Sequence, residues 1–212
     1  MFSPNMLKTF QSCPQKYWLK YVKKISTPQK ASYFEKGKKI HALANYYLRG
    51  DDISKFEPTL NVEEQQIWQF LKNNEYFRKN YIASEYDLSC KVGEYWVGGR
   101  IDAVVYDEES FYILDYKTGS IPQNPEYDFQ TIVYLLCLKK HIEDKEPNKL
   151  INFVYIDLKN NKNCIIQFSK EKYEQYEKII LETCLRMNKY QPLEDIKHSK
   201  NCEFCEYKKI CN

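Results

Sequence analysis

The sequence contains no run of the ~18 consecutive apolar residues that a membrane span needs, so a transmembrane helix is not expected. Its opening stretch, Met1 to Lys24, is amphipathic and lysine-studded and lacks the apolar core of a secretory signal. There is no low-complexity tract, no internal repeat and no Gly-Lys-Ser/Thr phosphate loop, which excludes a repeat array and a nucleotide-driven motor. Acid is nearly missing from the first fifty residues: Glu35 alone faces ten Lys and Arg, a balance of +9, while the other 162 residues sum to −6. Such a stretch can draw a polyanion through counterion release, or simply be a solvated helix face, and charge alone favours the second. These absences leave a soluble, cytoplasmic chain whose length suits one domain over 1–212.

What is present divides by periodicity. Ser3-Pro4 is a helix-opening pair, an N-cap followed by proline, and predicts a helix to about Tyr21, broken at Thr27-Pro28. Further helices are expected over about Tyr33–Leu48 and Val62–Lys72, completing a helical part over 1–80. Ala83–Val92, Tyr95–Tyr106 and Ser110–Tyr116 then read as three strands, rich in aromatic and β-branched residues, with turns at Gly93-Glu94 and Asp107-Glu108-Glu109. A helix over Asp128–Lys140, strands Ile151–Leu158 and Asn163–Phe168, and a helix over Lys170–Tyr190 complete a core over 81–190. The polar, cysteine-rich tail is 191–212. This order fits an α/β domain on a mixed sheet.

Chemistry concentrates on the second and third strands. Asp115 and Lys117 are two apart and share one strand face, with Leu114 and Tyr116 on the other. Taken alone they could be a surface ion pair of little consequence. Asp102, however, sits inside an apolar run of the preceding strand, and an isolated buried carboxylate is costly unless paired or bound to a cation. A hairpin would bring Asp102 beside Asp115, where their repulsion favours a shared hard cation such as Mg²⁺ or Mn²⁺. Four of the six glycines flank these residues: Gly37 before His41, Gly98-Gly99 before Asp102 and Gly119 after Lys117. A glycine pair inside a strand points to close backbone approach. His41 by itself would be read as an ordinary packed or surface histidine.

The eight cysteines divide too. Cys202, Cys205 and Cys211 fall within ten residues, and Cys13-Pro14 could add a fourth thiol. Thiolates so close suggest a metal, and spacing alone leaves structural Zn²⁺ and a [4Fe-4S] cluster open. Cys90, Cys137, Cys164 and Cys184 lie in strand or helix patterns and read as core.

Four motifs in order resemble those of the RecB-like PD-(D/E)XK nucleases: Gly37 to His41, Gly99-Arg100-Ile101-Asp102, Asp115-Tyr116-Lys117, and Gln130 to Tyr134. The opening Ser3 to Pro14 and the terminal cysteines extend the resemblance from Ser3 to Cys211. That branch includes the nuclease domains of RecB and AddB and CRISPR-associated iron–sulfur exonucleases. The resemblance implies a restriction-endonuclease-like mixed sheet flanked by helices, with an iron–sulfur tail. It also implies a metal held by His41, Asp102, Asp115 and the Tyr116 carbonyl, with Lys117 orienting the attacking water. Gln130 and Tyr134, on one helix face, would meet the site and the nucleic acid, and Glu85 would be an outer carboxylate. Asp115 stands where many members carry glutamate. Cys13, Cys202, Cys205 and Cys211 would hold the [4Fe-4S] cluster and pin the tail to the first helix. Tyr46, Tyr47 and the N-terminal lysines could line a channel to the metal. The implied activity is DNA hydrolysis, exonucleolytic on single strands or ends, in repair, recombination, phage replication or CRISPR adaptation, with a helicase or integrase as possible partner. The alternative is a non-catalytic nucleic-acid adaptor on the same fold.

Overall fold

The computed structural model describes residues 1–27, 32–192 and 200–211; the expected break at Pro28 and part of the tail lie outside them. The first helix is shorter than its sequence pattern predicts. Helix α1 (Pro4–Ser12), capped by Ser3, stops at Cys13, whose backbone is extended, and α2 (Pro14–Tyr17) begins afresh and continues as a π-helical turn, Trp18–Val22. The cause is Pro14, which lacks an N–H and forces the residue before it out of the helical region. Cys13 turns the break to use: its Sγ accepts the Lys16 N–H at 3.3 Å and caps α2.

Helix α3 (Ser32–Leu48) and α4 (Val62–Asn73) follow, the latter opened by a capping box between Asn61 and Glu64. The five strands are β1 (Asn80–Val92), β2 (Tyr95–Tyr106), β3 (Ser110–Lys117), β4 (Leu150–Asp157) and β5 (Lys162–Gln167). Helix α5 (Phe129–Ile142) crosses between β3 and β4, and α6 (Lys170–Lys189) follows β5. The sheet order is β1-β2-β3-β4-β5, antiparallel except for the β3–β4 pair. That parallel pair is the reason α5 exists where it does, since a parallel return needs a crossover.

Helices cover both faces. On one side α1, α5 and α6 pack on Val97, Ile101, Ile113, Phe153 and Tyr155. On the other, α3 and α4 bring Ile40, Leu43, Ala44, Trp68 and Leu71 against Ala103, Val105, Leu114, Tyr116, Val154 and Ile156. Neighbouring β3 residues therefore belong to different faces, and the alternation expected across Ile113–Lys117 is present. Strand β2 is longer than its pairing with β3, which runs only from Ala103–Leu114 to Tyr106–Phe111. The unpaired end of β2 is stitched instead to Phe2, which donates its N–H to the Trp96 carbonyl and accepts the Gly98 N–H. Among the described residues, no helix is long and apolar enough to cross a membrane.

Candidate active site

Where β2 and β3 part company, Asp102 bridges the gap. Its Oδ2 accepts the Tyr116 backbone N–H at 2.7 Å, and its Oδ1 lies 3.3 Å from His41 Nδ1. The other ring nitrogen, Nε2, lies 3.0 Å from the Tyr116 carbonyl oxygen. Both nitrogens of His41 thus face acceptors. Burial disfavours the charged ring, but the hydrogen bond and charge of Asp102, followed by the charge of Asp115, outweigh it and raise the pKa.

A third carboxylate enters from β1. Ligand atoms of His41, Glu85 and Asp102 all lie within 4.8 Å of one another. Glu85 achieves this with a left-handed backbone, φ +48°, in the middle of a strand, a conformation that costs a non-glycine residue free energy and is met where function demands it. Burial and then the charge of Asp102 push its carboxyl pKa up.

Asp115 and Lys117 reach α5, with Asp115 still near enough to Asp102 and His41 to feel both charges. Lys117 Nζ lies 2.7 Å from Asp115 Oδ2, and Gln130 clamps both, donating Nε2–H to Asp115 Oδ1 at 3.1 Å and accepting from Lys117 Nζ at 2.9 Å. Asp115 is only 5% exposed; burial first, then the charge of Asp102, drive its pKa to about 6 against the opposing pull of Lys117. Its Oδ2 has the ion pair but no directed hydrogen bond. The sequence-derived residues therefore form two halves, His41–Asp102 and Asp115–Lys117–Gln130, joined by the Tyr116 peptide. Tyr134 donates its Oη–H to the Arg100 carbonyl at 2.9 Å and holds β2 just ahead of Asp102, near enough to Asp115 and Asp102 for their charges to add to burial in raising its pKa. The glycine pair acquires its reason here. A Cβ at Gly99 would come within 2.9 Å of Tyr134 Oη, and one at Gly98 within 2.4 Å of the Leu88 carbonyl oxygen.

One participant was not assigned from sequence, and another was given a lesser place. Lys8 of α1 reaches Gln130 Oε1 at 3.2 Å and pairs with Asp128, the N-cap of α5, at 2.7 Å. Glu85, expected only as an outer carboxylate, stands in the ligand group itself; the lone acid in an aromatic strand was the available signal. A cleft of about 600 Å³ opens over the His41 side, lined by Lys38, Asn45, Glu85 and Thr118 among others. Tyr46 and Tyr47 are both exposed, Tyr46 stacking on Phe56 and Tyr47 packing one side on Trp68 and Phe77.

Cys13, at the start of α2, and the tail residues Cys202 and Cys205 lie near Cys211. Burial and then the charges of Cys205, Cys13 and Cys202 raise the Cys211 thiol pKa. Lys16–Glu206 at 2.8 Å and the Tyr207 hydroxyl on the Ile25 carbonyl at 2.8 Å tie the tail to the α2 segment. Cys90, Cys137 and Cys184 are buried as expected, and Cys164 is half-buried.

A phosphodiesterase-type centre, with carboxylates and a histidine grouped beside a lysine on a mixed sheet, is what this geometry offers. The chain belongs to the PD-(D/E)XK nuclease superfamily, whose family model matches residues 1–212. A putative exonuclease from Eubacterium rectale shares the fold, with a TM-score of 0.55 at 12% identity, over 99% of this chain and 86% of that one. SSO0001 aligns over 95% of both chains at 12% identity with a TM-score of 0.34. No curated protein matches significantly. The five-stranded mixed sheet flanked by helices is consistent with the restriction-endonuclease-like fold, and membership of the superfamily makes the chain a nuclease of a kind that uses divalent metals, for which His41, Glu85 and Asp102 are the candidate ligands.

Proposed function

We propose that the protein is a Mg²⁺- or Mn²⁺-dependent deoxyribonuclease of the RecB-like branch, acting exonucleolytically on single-stranded DNA or DNA ends. The observation that carries this reading is the convergence of His41, Glu85 and Asp102 within 4.8 Å, beside an Asp115–Lys117 pair whose Asp115 Oδ2 is buried without a directed hydrogen bond. Against the three carboxylates stand Lys117, the His41 ring and the more distant charge of Arg100, and Glu85 and Asp115 still have raised pKa values; a hard cation would relieve that imbalance. His41, Glu85, Asp102, Asp115 and the Tyr116 carbonyl are the donors that would hold it. When bound, such a cation polarises a phosphoryl oxygen and acidifies water.

The chain's own groups do the rest. Gln130 fixes Lys117 against Asp115, so the ammonium has one orientation from which to align the attacking water and neutralise charge on the phosphate. Lys8 and Asp128 hold Gln130 in turn. Tyr134 fixes the strand that presents Asp102. Lys38 at the cleft and Tyr46 on the surface are suited to backbone phosphate and an unpaired base.

We assign Cys13, Cys202, Cys205 and Cys211 to a [4Fe-4S] cluster, with structural Zn²⁺ as the alternative; the support is the residue types and the mutual influence of these four thiols at Cys211. Its part is to fasten the tail to α2.

Labelled single-stranded DNA incubated with the protein and Mn²⁺ or Mg²⁺ should be shortened from an end, with no product in chelator or with Asp115→Ala. Hydrolysis undiminished by Asp115→Ala would reduce the protein to an adaptor carrying a contaminating activity. Substrates blocked at the 5′ or 3′ end give the polarity.

A further inference from the structure

Neither the metal site nor the tail uses the pair Cys90 and Cys137. Both are free thiols, 5% and 0% exposed, and their Sγ atoms lie 3.1 Å apart across the interface of β1 with α5. A single buried cysteine is an ordinary small apolar residue. Two whose sulfurs meet at this distance are different, because a disulfide needs each sulfur to move by only about half an ångström to reach its ~2.05 Å bond. The S–H of Cys137 points at Cys90, and that hydrogen bond, against the opposing effect of burial, holds the Cys90 thiol below its ordinary pKa. The thiolate is the reactive form.

Their positions in the chain give the pair leverage. Gln130, Tyr134 and Cys137 are spaced i, i+4, i+7 and occupy one stripe of α5, the stripe that meets the sheet. Cys90 is five residues along β1 from Glu85. A bond between the two sulfurs would tie the helix that presents Gln130 to the strand that presents Glu85.

We propose that Cys90 and Cys137 constitute an oxidisable dithiol, a modification site for peroxides, whose disulfide staples α5 to β1. Cys90 thiolate takes one oxygen of hydrogen peroxide and releases hydroxide, leaving a sulfenic acid; Cys137 sulfur then displaces that oxygen as water as the S–S bond forms. Peroxide is thereby reduced to two waters and the two thiols are oxidised by two electrons.

The test is independent of nuclease activity. The full-length reduced protein is exposed to hydrogen peroxide, quenched with catalase and N-ethylmaleimide, digested without reduction and mapped by mass spectrometry. The expected product is a Cys90–Cys137 cross-linked peptide, reversed by dithiothreitol, together with a melting temperature raised by ~5–15 °C, as closure of a long loop implies. In Cys137→Ala, dimedone should trap sulfenic acid at Cys90, because nothing resolves it. Recovery of both residues as free thiols from wild type, after exposure that has oxidised the tail cysteines, would overturn the proposal. So would equal dimedone labelling of Cys90 in wild type and variant. Should the variant fail to fold, the wild-type map still decides.

Discussion

Replacing Asp115 by asparagine should make the metal-free protein more stable while abolishing its activity. The carboxyl is buried, and burial together with the charge of Asp102 raises its pKa from 3.8 to about 6. A shift of roughly two units at ~1.36 kcal/mol each amounts to about 3 kcal/mol of ionisation cost carried by the folded state at neutral pH. Because the folded pKa lies above the unfolded one, the folded state holds this proton more tightly. Stability from this group is therefore greatest below pH 3.8, declines as pH rises, and is fully lost above about 6. Asparagine never ionises and escapes the cost. The opposing pull of Lys117 is already contained in that value, so what takes back part of the gain is the amide's poorer hydrogen bonding to Lys117 and Gln130. A net stabilisation of about 1–2 kcal/mol remains, or ~2–8 °C in melting temperature for a chain of this length. The assay is thermal unfolding in chelator at steps from pH 8 to pH 4, with hydrolysis of single-stranded DNA measured in Mn²⁺ alongside. The advantage of Asp115→Asn should narrow and then reverse toward pH 4, where wild-type Asp115 is protonated. A variant less stable than wild type at pH 8 in chelator, or a gap independent of pH, would refute the electrostatic reasoning.

Glu85→Gln should weaken Mn²⁺ binding about tenfold, ~1.4 kcal/mol, leaving circular dichroism unchanged; isothermal titration reads it, and unaltered affinity would put Glu85 outside the ligand set. Asp107, at the β2–β3 turn, has its pKa lowered to about 2, first by the Lys79 hydrogen bond and then by those from Tyr112 and the turn amides, with burial opposing. Its contribution is present above the ordinary carboxylate range and is lost as pH falls through about 2. Asp107→Asn should accordingly lower urea stability equally at pH 7 and pH 5, with the gap shrinking below pH 4. Cys205→Ala should bleach the broad absorption near roughly 400 nm expected of a thiolate-bound cluster; a colourless wild type with stoichiometric zinc would assign the cysteines to zinc instead.

Local pattern made the secondary structure legible: α4, α5, α6 and all five strands lie within a few residues of their expected places, because the helices open on capping residues, Asn61, Asp128 and Ser169, and the strands are runs of aromatic and β-branched residues between turns. Helix α1 was over-extended, since its pattern continues through Cys13 while the backbone obeys Pro14. Asp102 stood out as a candidate because it is a carboxylate in an apolar run, and Asp115 and Lys117 because they share one strand face, whereas His41 entered only through the resemblance of Gly37 to His41 to a family motif. Glu85 could not be ranked so highly, as a strand read with regular alternation gives no hint of a left-handed residue at that point. Lys8 was hidden by distance along the chain: its partners lie 120 and 122 residues away, and only the folded α1–α5 contact brings them within reach.

That contact begins with Phe2, which fills the bare edge of β2. The first eight residues work as a strap, hooked to the sheet at one end and to the clamp on Lys117 at the other. Whatever pries Phe2 from Trp96 and Gly98, a competing strand or a bulky amino-terminal fusion, would slacken Gln130 more than 120 residues away in sequence. Preparations carrying an added leader peptide should thus differ in turnover from those without one, although no altered residue lies anywhere near the carboxylates.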